Sequence, residues 1–167
     1  KHLVLVLFNS FQFALFFPAL LLLYQLCPAA WKRSLLLVAS CLFYMAFIPA
    51  YILILMLLIA VDYGAGILLE TTAGGRRRAW MLLSLMANLS ILGSFKYWNF
   101  AALNLNEALG ISSIPLLSLA LPIGLSFHTF QSLAYTIEVY RGRWPAERNL
   151  GRYSLYVLFF PQMVAGP

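Results

Sequence analysis

The stretch from Leu121 to Tyr140 carries the most potential chemistry in this chain. It is apolar enough to cross a membrane, yet eight polar side chains lie within it: Ser126, His128, Thr129, Gln131, Ser132, Tyr135, Thr136 and Glu138. At about 100° per residue, one helical stripe holds His128, Gln131, Ser132, Tyr135 and, less closely, Glu138. Because such groups are costly in hydrocarbon, the stripe should face other helices or a wet cavity. The residues alone leave both interpretations open.

Two further ionisable groups lie within apolar surroundings. Asp62, with Tyr63 beside it, has Glu70 eight residues on and roughly on the same helical face. Asp62 fits either structural pairing or a functional cavity.

His128 could in principle act as a general base. A general base must be held against its substrate with a pKa near the working pH. A lone membrane histidine is more often a packed seam residue, so we assign no catalytic role to His128.

Other motifs indicate membrane interfaces rather than chemistry. The run Phe95-Lys-Tyr-Trp-Asn-Phe100 surrounds a lysine with aromatic rings, as interfacial belts do. The triplet Arg76–Arg78 fits a topology and lipid-headgroup feature. With His2 and His128 as the only histidines, no multi-histidine metal site is predicted, and there is no phosphate-binding glycine loop or G-x-S-x-G motif.

The composition indicates that lipid, rather than water, surrounds these segments. Hydrophobic residues make up 63% of the 167 positions and charged residues 10%, against about 25% charged in soluble domains. The fold class is therefore predicted to be all-α, a polytopic transmembrane helical bundle. The net charge of +6 does not indicate nucleic acid, because the basic residues fall in short clusters between apolar runs.

Apolar runs and breaks predict about six membrane segments. A single helix over residues 34–69 would be about 54 Å long, far beyond the roughly 30 Å of hydrocarbon, so we divide it at Pro49. The uncharged N-terminal stretch is too long for a signal peptide. The predicted segments are 11–27, 34–48, 50–70, 79–95, 114–138 and 153–167.

Charge placement orients these segments. Nine basic residues fall on one side: Lys32, Arg33, Arg76, Arg77, Arg78, Arg141, Arg143, Arg148 and Arg152. Only Lys1 and Lys96 fall on the other. Basic loops stay cytoplasmic, so we predict a multi-pass protein with its N-terminus outside. Lys1 in place of an initiator Met, and an apolar run still in progress at Pro167, lead us to expect part of a longer protein.

Several of these segments resemble the membrane-bound O-acyltransferase family, in particular its bacterial alginate O-acetyltransferase-like branch. The similarity includes the opening Leu7–Pro18, Asp62-Tyr63 and the Phe95–Phe100 run. It is closest over Leu121–Tyr135, continuing through Glu138-Val-Tyr-Arg-Gly142, and over the Phe-Pro-Gln-x-x-Ala-Gly-Pro motif that ends at Pro167. The resemblance implies that residues 1–167 are the N-terminal part of a single transmembrane domain, a partial fold of this family.

The resemblance also implies a function. Members surround a membrane funnel with helices and deliver an acyl group from the cytoplasmic side to a hydroxyl outside. The family's catalytic histidine is expected beyond Pro167, so no catalytic residue is assigned here. We predict cavity-lining or framework roles for Gln131, Tyr135, Glu138, Gln162 and Asp62, and an outer mouth shaped by Lys96, Tyr97 and Asn99.

The predicted parent is thus an O-acyltransferase of the bacterial inner membrane that acetylates an extracytoplasmic polysaccharide such as alginate. Its expected partners are the bilayer, an acyl thioester donor (acetyl-CoA or an acyl carrier) on the cytoplasmic side, and the polymer or a periplasmic acetyltransferase. No bound cofactor is expected. D-alanyl transfer to teichoic acid, a secondary transporter and a purely structural subunit are the alternatives.

Overall fold

The computed structural model describes residues 11–46, 49–110, 115–116 and 124–165. Helices are the only regular elements in these ranges, which confirms the all-α class. They are α1 (Phe11–Leu26), α2 (Lys32–Met45), α3 (Tyr51–Thr71), α4 (Gly74–Leu109), α5 (Leu125–Tyr140), α6 (Leu150–Leu158) and α7 (Phe160–Ala165). Among them, α3 and α4 are long and apolar enough for a full membrane crossing.

Helices α3, α4 and α5 pack against one another and form the centre of the bundle. Helix α6 lies against α2 and α3, and α1 packs on α2. Aromatic rings fill the contact between α1, α2 and α7: Phe43 lies 6.0 Å from Phe16 and 5.6 Å from Phe160, measured between ring centroids. Large apolar side chains on the outer faces of the bundle remain exposed, as expected where lipid is the solvent.

Residues 32–71 are divided into two helices, with Pro49 and Ala50 in the turn before α3. The predicted segment 114–138 begins partly outside the described residues. Its helical part is α5, which begins after Gly124 and ends at Tyr140. Gly124 has a φ of 79°, a left-handed conformation that favours glycine.

The fourth predicted segment, 79–95, is too short. Helix α4 contains 36 residues and ends at Leu109, because the following Gly110 has a left-handed φ of 62°. Arg76–Arg78 therefore lie in the first turns of α4, and residues 99–109 continue the helix. The prediction failed because hydropathy marks where hydrocarbon ends, whereas polar residues such as Asn104 and Glu107 still extend a helix into the interface.

The segment predicted over 153–167 is interrupted, and its last two residues lie outside the described ranges. Helix α6 ends at Leu158, and α7 begins at Phe160. The break, at Phe159, lies two residues before Pro161, whose ring conflicts with the preceding helical turn and which has no backbone N–H. The amide that the break frees, Phe160 N–H, donates to the buried hydroxyl oxygen of Ser40 at 3.3 Å.

Candidate functional site

Asp62 lies at the centre of a buried polar seam between α3 and α4. Its carboxyl oxygen Oδ1 accepts hydrogen bonds from the Ser84 hydroxyl at 2.6 Å and from the Asn88 amide at 2.8 Å. All three side chains are fully buried. Hydrogen bonds therefore hold Asp62 between α3 and α4, and its cavity-lining or framework role stays a prediction. Glu70, predicted on the same face, bonds elsewhere, to Arg148.

The polar stripe of α5 joins this seam from the other side. Ser84 Oγ lies 3.2 Å from Thr136 Oγ1, and Thr136 donates to the backbone oxygen of Ser132. On the α6 side, the Tyr153 hydroxyl donates to Ser132 Oγ at 3.4 Å. This middle part of the stripe is a helix–helix seam, in which side chains satisfy one another's hydrogen bonds away from water.

Gln131 and Gln162, predicted together as cavity-lining or framework residues, are neighbours in space. The Gln131 amide donates to the backbone oxygen of Tyr156 at 2.7 Å and to Gln162 Oε1 at 3.3 Å. Gln131 thus connects α5 to α6 and α7. Because the carbonyls before a helix break have lost their usual partners, an amide donor at this place stabilises the α6–α7 junction.

His128 is buried near the start of α5. Its ring lies 6.2 Å from the ring of Tyr44 on α2. Neither ring nitrogen has a well-aligned hydrogen bond to any of the described residues. That no catalytic role is assigned to His128 stays a prediction.

A cleft of about 550 Å³ opens at the end of the bundle that carries the basic loop. We call it the arginine cleft. It lies between the 141–149 loop and α6, and α5 contributes one residue. Its lining consists of Tyr135, Trp144, Pro145, Ala146, Glu147, Arg148, Arg152, Tyr153 and Tyr156.

Tyr135 is the predicted site residue that lines this cleft. Its hydroxyl accepts a hydrogen bond from the Glu147 N–H at 3.0 Å, and its ring packs 4.7 Å from that of Tyr153. Gly66 on α3 provides the room for it, since a Cβ there would come within 2.6 Å of the Tyr135 hydroxyl. Tyr135 therefore connects the packing of α3 and α5 to the shape of the cleft.

Ion pairs bind the loop to the helices around the cleft. Arg148 pairs with Glu70 at 2.6 Å, and Arg152 pairs with Glu147 at 3.1 Å. The Asn149 N–H and the Arg152 guanidinium hold the pKa of the Glu147 carboxyl below its ordinary value. The Glu147 side chain is therefore charged at neutral pH. Both arginines remain more than half exposed.

Glu138 and the outer-mouth residues lie apart from this cleft. Glu138 pairs with Arg143 at 3.4 Å and with Arg141 at 3.7 Å. Lys96 lies over the ring of Tyr97, 5.5 Å from its centroid, in the half of α4 remote from the basic loop. Their roles, and that of Asn99, stay predictions.

Sequence reasoning missed most of the site. Ser84 and Asn88 are polar residues four apart in an apolar run, a spacing that puts them on one helical face toward Asp62. That signal could have found them. The cleft residues Trp144, Arg148 and Arg152 carried no comparable signal, because an aromatic and basic loop after a membrane segment is also what an interface produces.

No family model matches the chain, and no solved structure matches it. Curated relatives do. The chain is 39% identical to the probable alginate O-acetylase AlgI of Pseudomonas aeruginosa over 95% of its own length and 31% of that protein. It is 38% identical to the corresponding protein of Azotobacter vinelandii over 95% of this chain and 33% of that one.

A third relative is the peptidoglycan O-acetyltransferase of Helicobacter pylori, 31% identical over 97% of this chain and 36% of that protein. The chain spans about a third of the length of the curated relatives it matches. Together with the apolar helices α3 and α4, these relatives support a membrane protein. The resemblance of this chain to membrane-bound O-acyltransferases, in the branch of the alginate O-acetylases, is thereby confirmed over nearly its whole length.

Proposed function

We propose that the full-length protein is an O-acyltransferase of the bacterial inner membrane that acetylates a polysaccharide outside the cytoplasm. The similarity of nearly the whole chain to alginate O-acetylases carries this proposal. An alginate-type polymer is the proposed acceptor. Peptidoglycan is a second candidate, favoured by the Helicobacter pylori relative.

In the proposed reaction, an acyl thioester on the cytoplasmic side is the donor, and the polymer or a periplasmic acetyltransferase supplies the acceptor hydroxyl. The hydroxyl oxygen forms a bond to the acyl carbon, the carbon–sulfur bond breaks, and the hydroxyl proton leaves with the thiol product. A general base elsewhere in the full-length protein assists this step. The residues of this chain contribute the framework that positions the helices and excludes water.

The proposed orientation follows from the charges. The basic ends of α2, α4 and α5 lie in the cytoplasm, and the N-terminus lies outside. The arginine cleft then opens toward the cytoplasm, where thioester donors are made. The end of α4 near Lys96, Tyr97 and Asn99 lies at the outer surface, toward the acceptor.

Gene deletion and complementation in a host that makes the polymer test the proposal. We expect deletion to remove acetyl esters from the polymer and the full-length gene to restore them. Restoration by a Gln131→Leu variant should fall several-fold at unchanged membrane protein level, because this change breaks the α5–α6 connection. Phe130→Leu, on the exposed face of the same helix, is the matched control.

The alternatives give different results in the same experiment. Loss of D-alanyl rather than acetyl esters would indicate D-alanyl transfer. Loss of polymer export with normal acetyl content would indicate a transporter. Unchanged acetyl content after deletion would overturn the proposal.

A further inference from the structure

A polar pocket of about 190 Å³ lies between the starts of α2 and α6, at the basic end of the bundle. We call it the α2–α6 pocket. Its lining consists of Ala30, Arg33, Ser34, Leu37, Asn149, Gly151 and Arg152. Among the described residues that line it there are two arginines and no acidic side chain. Because both helices begin here, the positive ends of their dipoles add to the charge of the arginines. The pocket therefore suits an anion.

Arg33 is available to bind such an anion. It is exposed, and it forms no ion pair with any carboxylate in the described part of the chain. The other arginine, Arg152, pairs with Glu147 at 3.1 Å, but this pair is exposed, and exposed pairs contribute little to stability. The pocket thus carries a positive charge that the described residues leave unbalanced.

An apolar groove of about 170 Å³ lies next to this pocket, between α1 and α7. We call it the α1–α7 groove. Its lining consists of Phe17, Leu20, Leu21, Tyr24, Leu36, Phe159, Phe160 and Pro161. Leu36 in the groove and Leu37 in the pocket are consecutive residues of α2, so the two cavities lie on adjacent faces of one helical turn.

The groove has a cation at one end and apolar walls along the rest of its length. The Lys32 ammonium lies 4.7 Å from the centroid of the Tyr24 ring. From Tyr24 the groove follows α1 to Phe17, about 10 Å along the helix axis. An apolar surface with basic groups at its interfacial end matches the two parts of a phospholipid, an acyl chain and an anionic headgroup.

We propose that the α2–α6 pocket and the α1–α7 groove together bind one anionic phospholipid. Arg33 and Arg152 hold the headgroup phosphate, and one acyl chain lies along α1 in the groove. Trp31, beside the pocket and 67% exposed, fits this depth, since tryptophan is enriched at the level of lipid headgroups. The excess of positive charge favours a headgroup with a net negative charge over a zwitterionic one, whose ammonium group it repels. This site goes beyond acyl transfer and does not depend on it.

Photo-crosslinking of the full-length protein in phosphatidylcholine nanodiscs tests the site. The probe is a trace of phosphatidylglycerol with a photoreactive diazirine in one acyl chain, and mass spectrometry of peptides locates the products. We expect crosslinks on α1 and on residues 159–161, the two walls of the groove. Replacing a small fraction of the phosphatidylcholine by unlabelled phosphatidylglycerol should remove most of them, whereas the same amount of phosphatidylethanolamine, which has no net charge, should not.

Two pairs of variants test the two parts of the site separately. We expect Arg33→Gln to lower the crosslinking yield about fivefold, the usual contribution of one basic residue beside an anionic headgroup. Arg78→Gln, an exposed arginine at the start of α4, is its control and should crosslink as the unaltered protein does. Equal yields from these two variants would overturn the assignment of the headgroup.

The second pair fills the groove and leaves the pocket unchanged, so it also covers the case in which Arg33→Gln fails to fold. Leu21→Trp places a larger side chain in the groove and should move the crosslinks away from residues 159–161. Leu22→Trp, at the next position of α1 and 61% exposed, is the control and should keep them. The same crosslinking pattern in both variants would overturn the assignment of the acyl chain.

Three other outcomes would replace the anionic phospholipid by another occupant. Equal competition by phosphatidylethanolamine would show a lipid site without selection for charge. Displacement of the probe by inorganic phosphate in the buffer would show a pocket for a free anion. An absence of crosslinks on α1 and residues 159–161 would show that another part of the full-length protein fills the groove. Each of these results overturns the proposal, and none affects the proposed acyl transfer, because no acyl donor or acceptor is present in the experiment.

Discussion

The clearest single-residue relationship in the bundle is the one between Asn88 and Asp62. The Asn88 amide contacts both carboxyl oxygens, at 2.8 and 3.0 Å, in a seam with no exposure to solvent. We expect Asn88→Ala to lower the free energy of unfolding by about 1–3 kcal/mol, because it leaves the carboxyl group with an unmet hydrogen bond. Thermal unfolding of the full-length protein in detergent would measure the loss.

Asn104→Ala is the matched control for this substitution. Asn104 lies on the same helix, is exposed, and donates to the backbone oxygen of Phe100, four residues before it. Its replacement should change stability by less than about 0.5 kcal/mol. Equal losses in the two variants would mean that the seam contributes nothing specific.

Two glycines of α3 allow a second test at this scale. A methyl group at Gly66 would meet the Tyr135 ring, at 2.6 Å from its hydroxyl and 3.0 Å from Cε1, whereas nothing lies within 4 Å of one at Gly64. The Tyr135 ring cannot retreat freely, because Tyr153 packs against it. We expect Gly66→Ala to destabilise the protein by about 1–3 kcal/mol.

Gly64→Ala should instead stabilise the protein. Alanine is favoured over glycine in a helix by about 1 kcal/mol, and no contact opposes it here. Differential scanning fluorimetry of both variants would show midpoints that move in opposite directions. Parallel shifts would contradict the close approach of α3 and α5.

At the scale of helices, one arginine joins the start of α4 to the end of α5. The Arg77 guanidinium donates to the backbone oxygens of Tyr140 at 2.7 Å and Val139 at 3.3 Å, and it lies over the Tyr140 ring. These carbonyls belong to the last turn of α5, where helical partners run out, although the Val139 oxygen also accepts from the Gly142 N–H at 3.0 Å. The positive charge also opposes the negative end of the helix dipole.

We therefore expect Arg77→Gln to cost about 1–3 kcal/mol of stability. It should also make the 141–149 loop more accessible to proteolysis, because the end of α5 is then less firmly held. Arg76→Gln is the control, since Arg76 is exposed and is the preceding residue. Limited proteolysis that cuts both variants at the same rate would contradict this role.

Sequence periodicity located elements better than it located their ends. Helix α1 ends at Leu26, within a residue of the predicted limit, because Pro28 follows. Helix α4 exceeds its limits by five residues before and fourteen after (74–109 against 79–95). The difference arises because a bilayer selects for apolar side chains only over its own thickness, whereas hydrogen bonding continues a helix until a residue such as Gly110 stops it.

The site was predictable only in part, for a reason that concerns the whole molecule. The polar stripe on α5 could be predicted because helical periodicity and polarity can be read from a single segment of the sequence. The arginine cleft is formed by the 141–149 loop folding over α5 and α6, where Arg148 reaches Glu70 across 78 positions of the chain. No local pattern encodes such a pairing, and many loop conformations would satisfy the same composition.

The length of α4 makes the membrane orientation of the whole molecule testable. Residues 76 and 104 lie on one unbroken helix, about 42 Å apart along its axis, and the hydrocarbon is about 30 Å thick. If α4 crosses the bilayer, these two positions must lie on opposite sides. The arginines predict that residue 76 is inside.

Single cysteines at these two positions measure this directly, after Cys27 and Cys41 are replaced by alanine. We expect an impermeant maleimide to label Asn104→Cys in intact cells and Arg76→Cys only after the inner membrane is opened. Arg143→Cys, in the loop of the arginine cleft, should behave as Arg76→Cys does, because both lie at the basic end of the bundle. Labelling of positions 76 and 104 from the same side would mean that α4 does not cross the membrane. The arginine cleft and the Lys96 end of α4 would then not lie on opposite sides of the bilayer, as the proposed orientation requires.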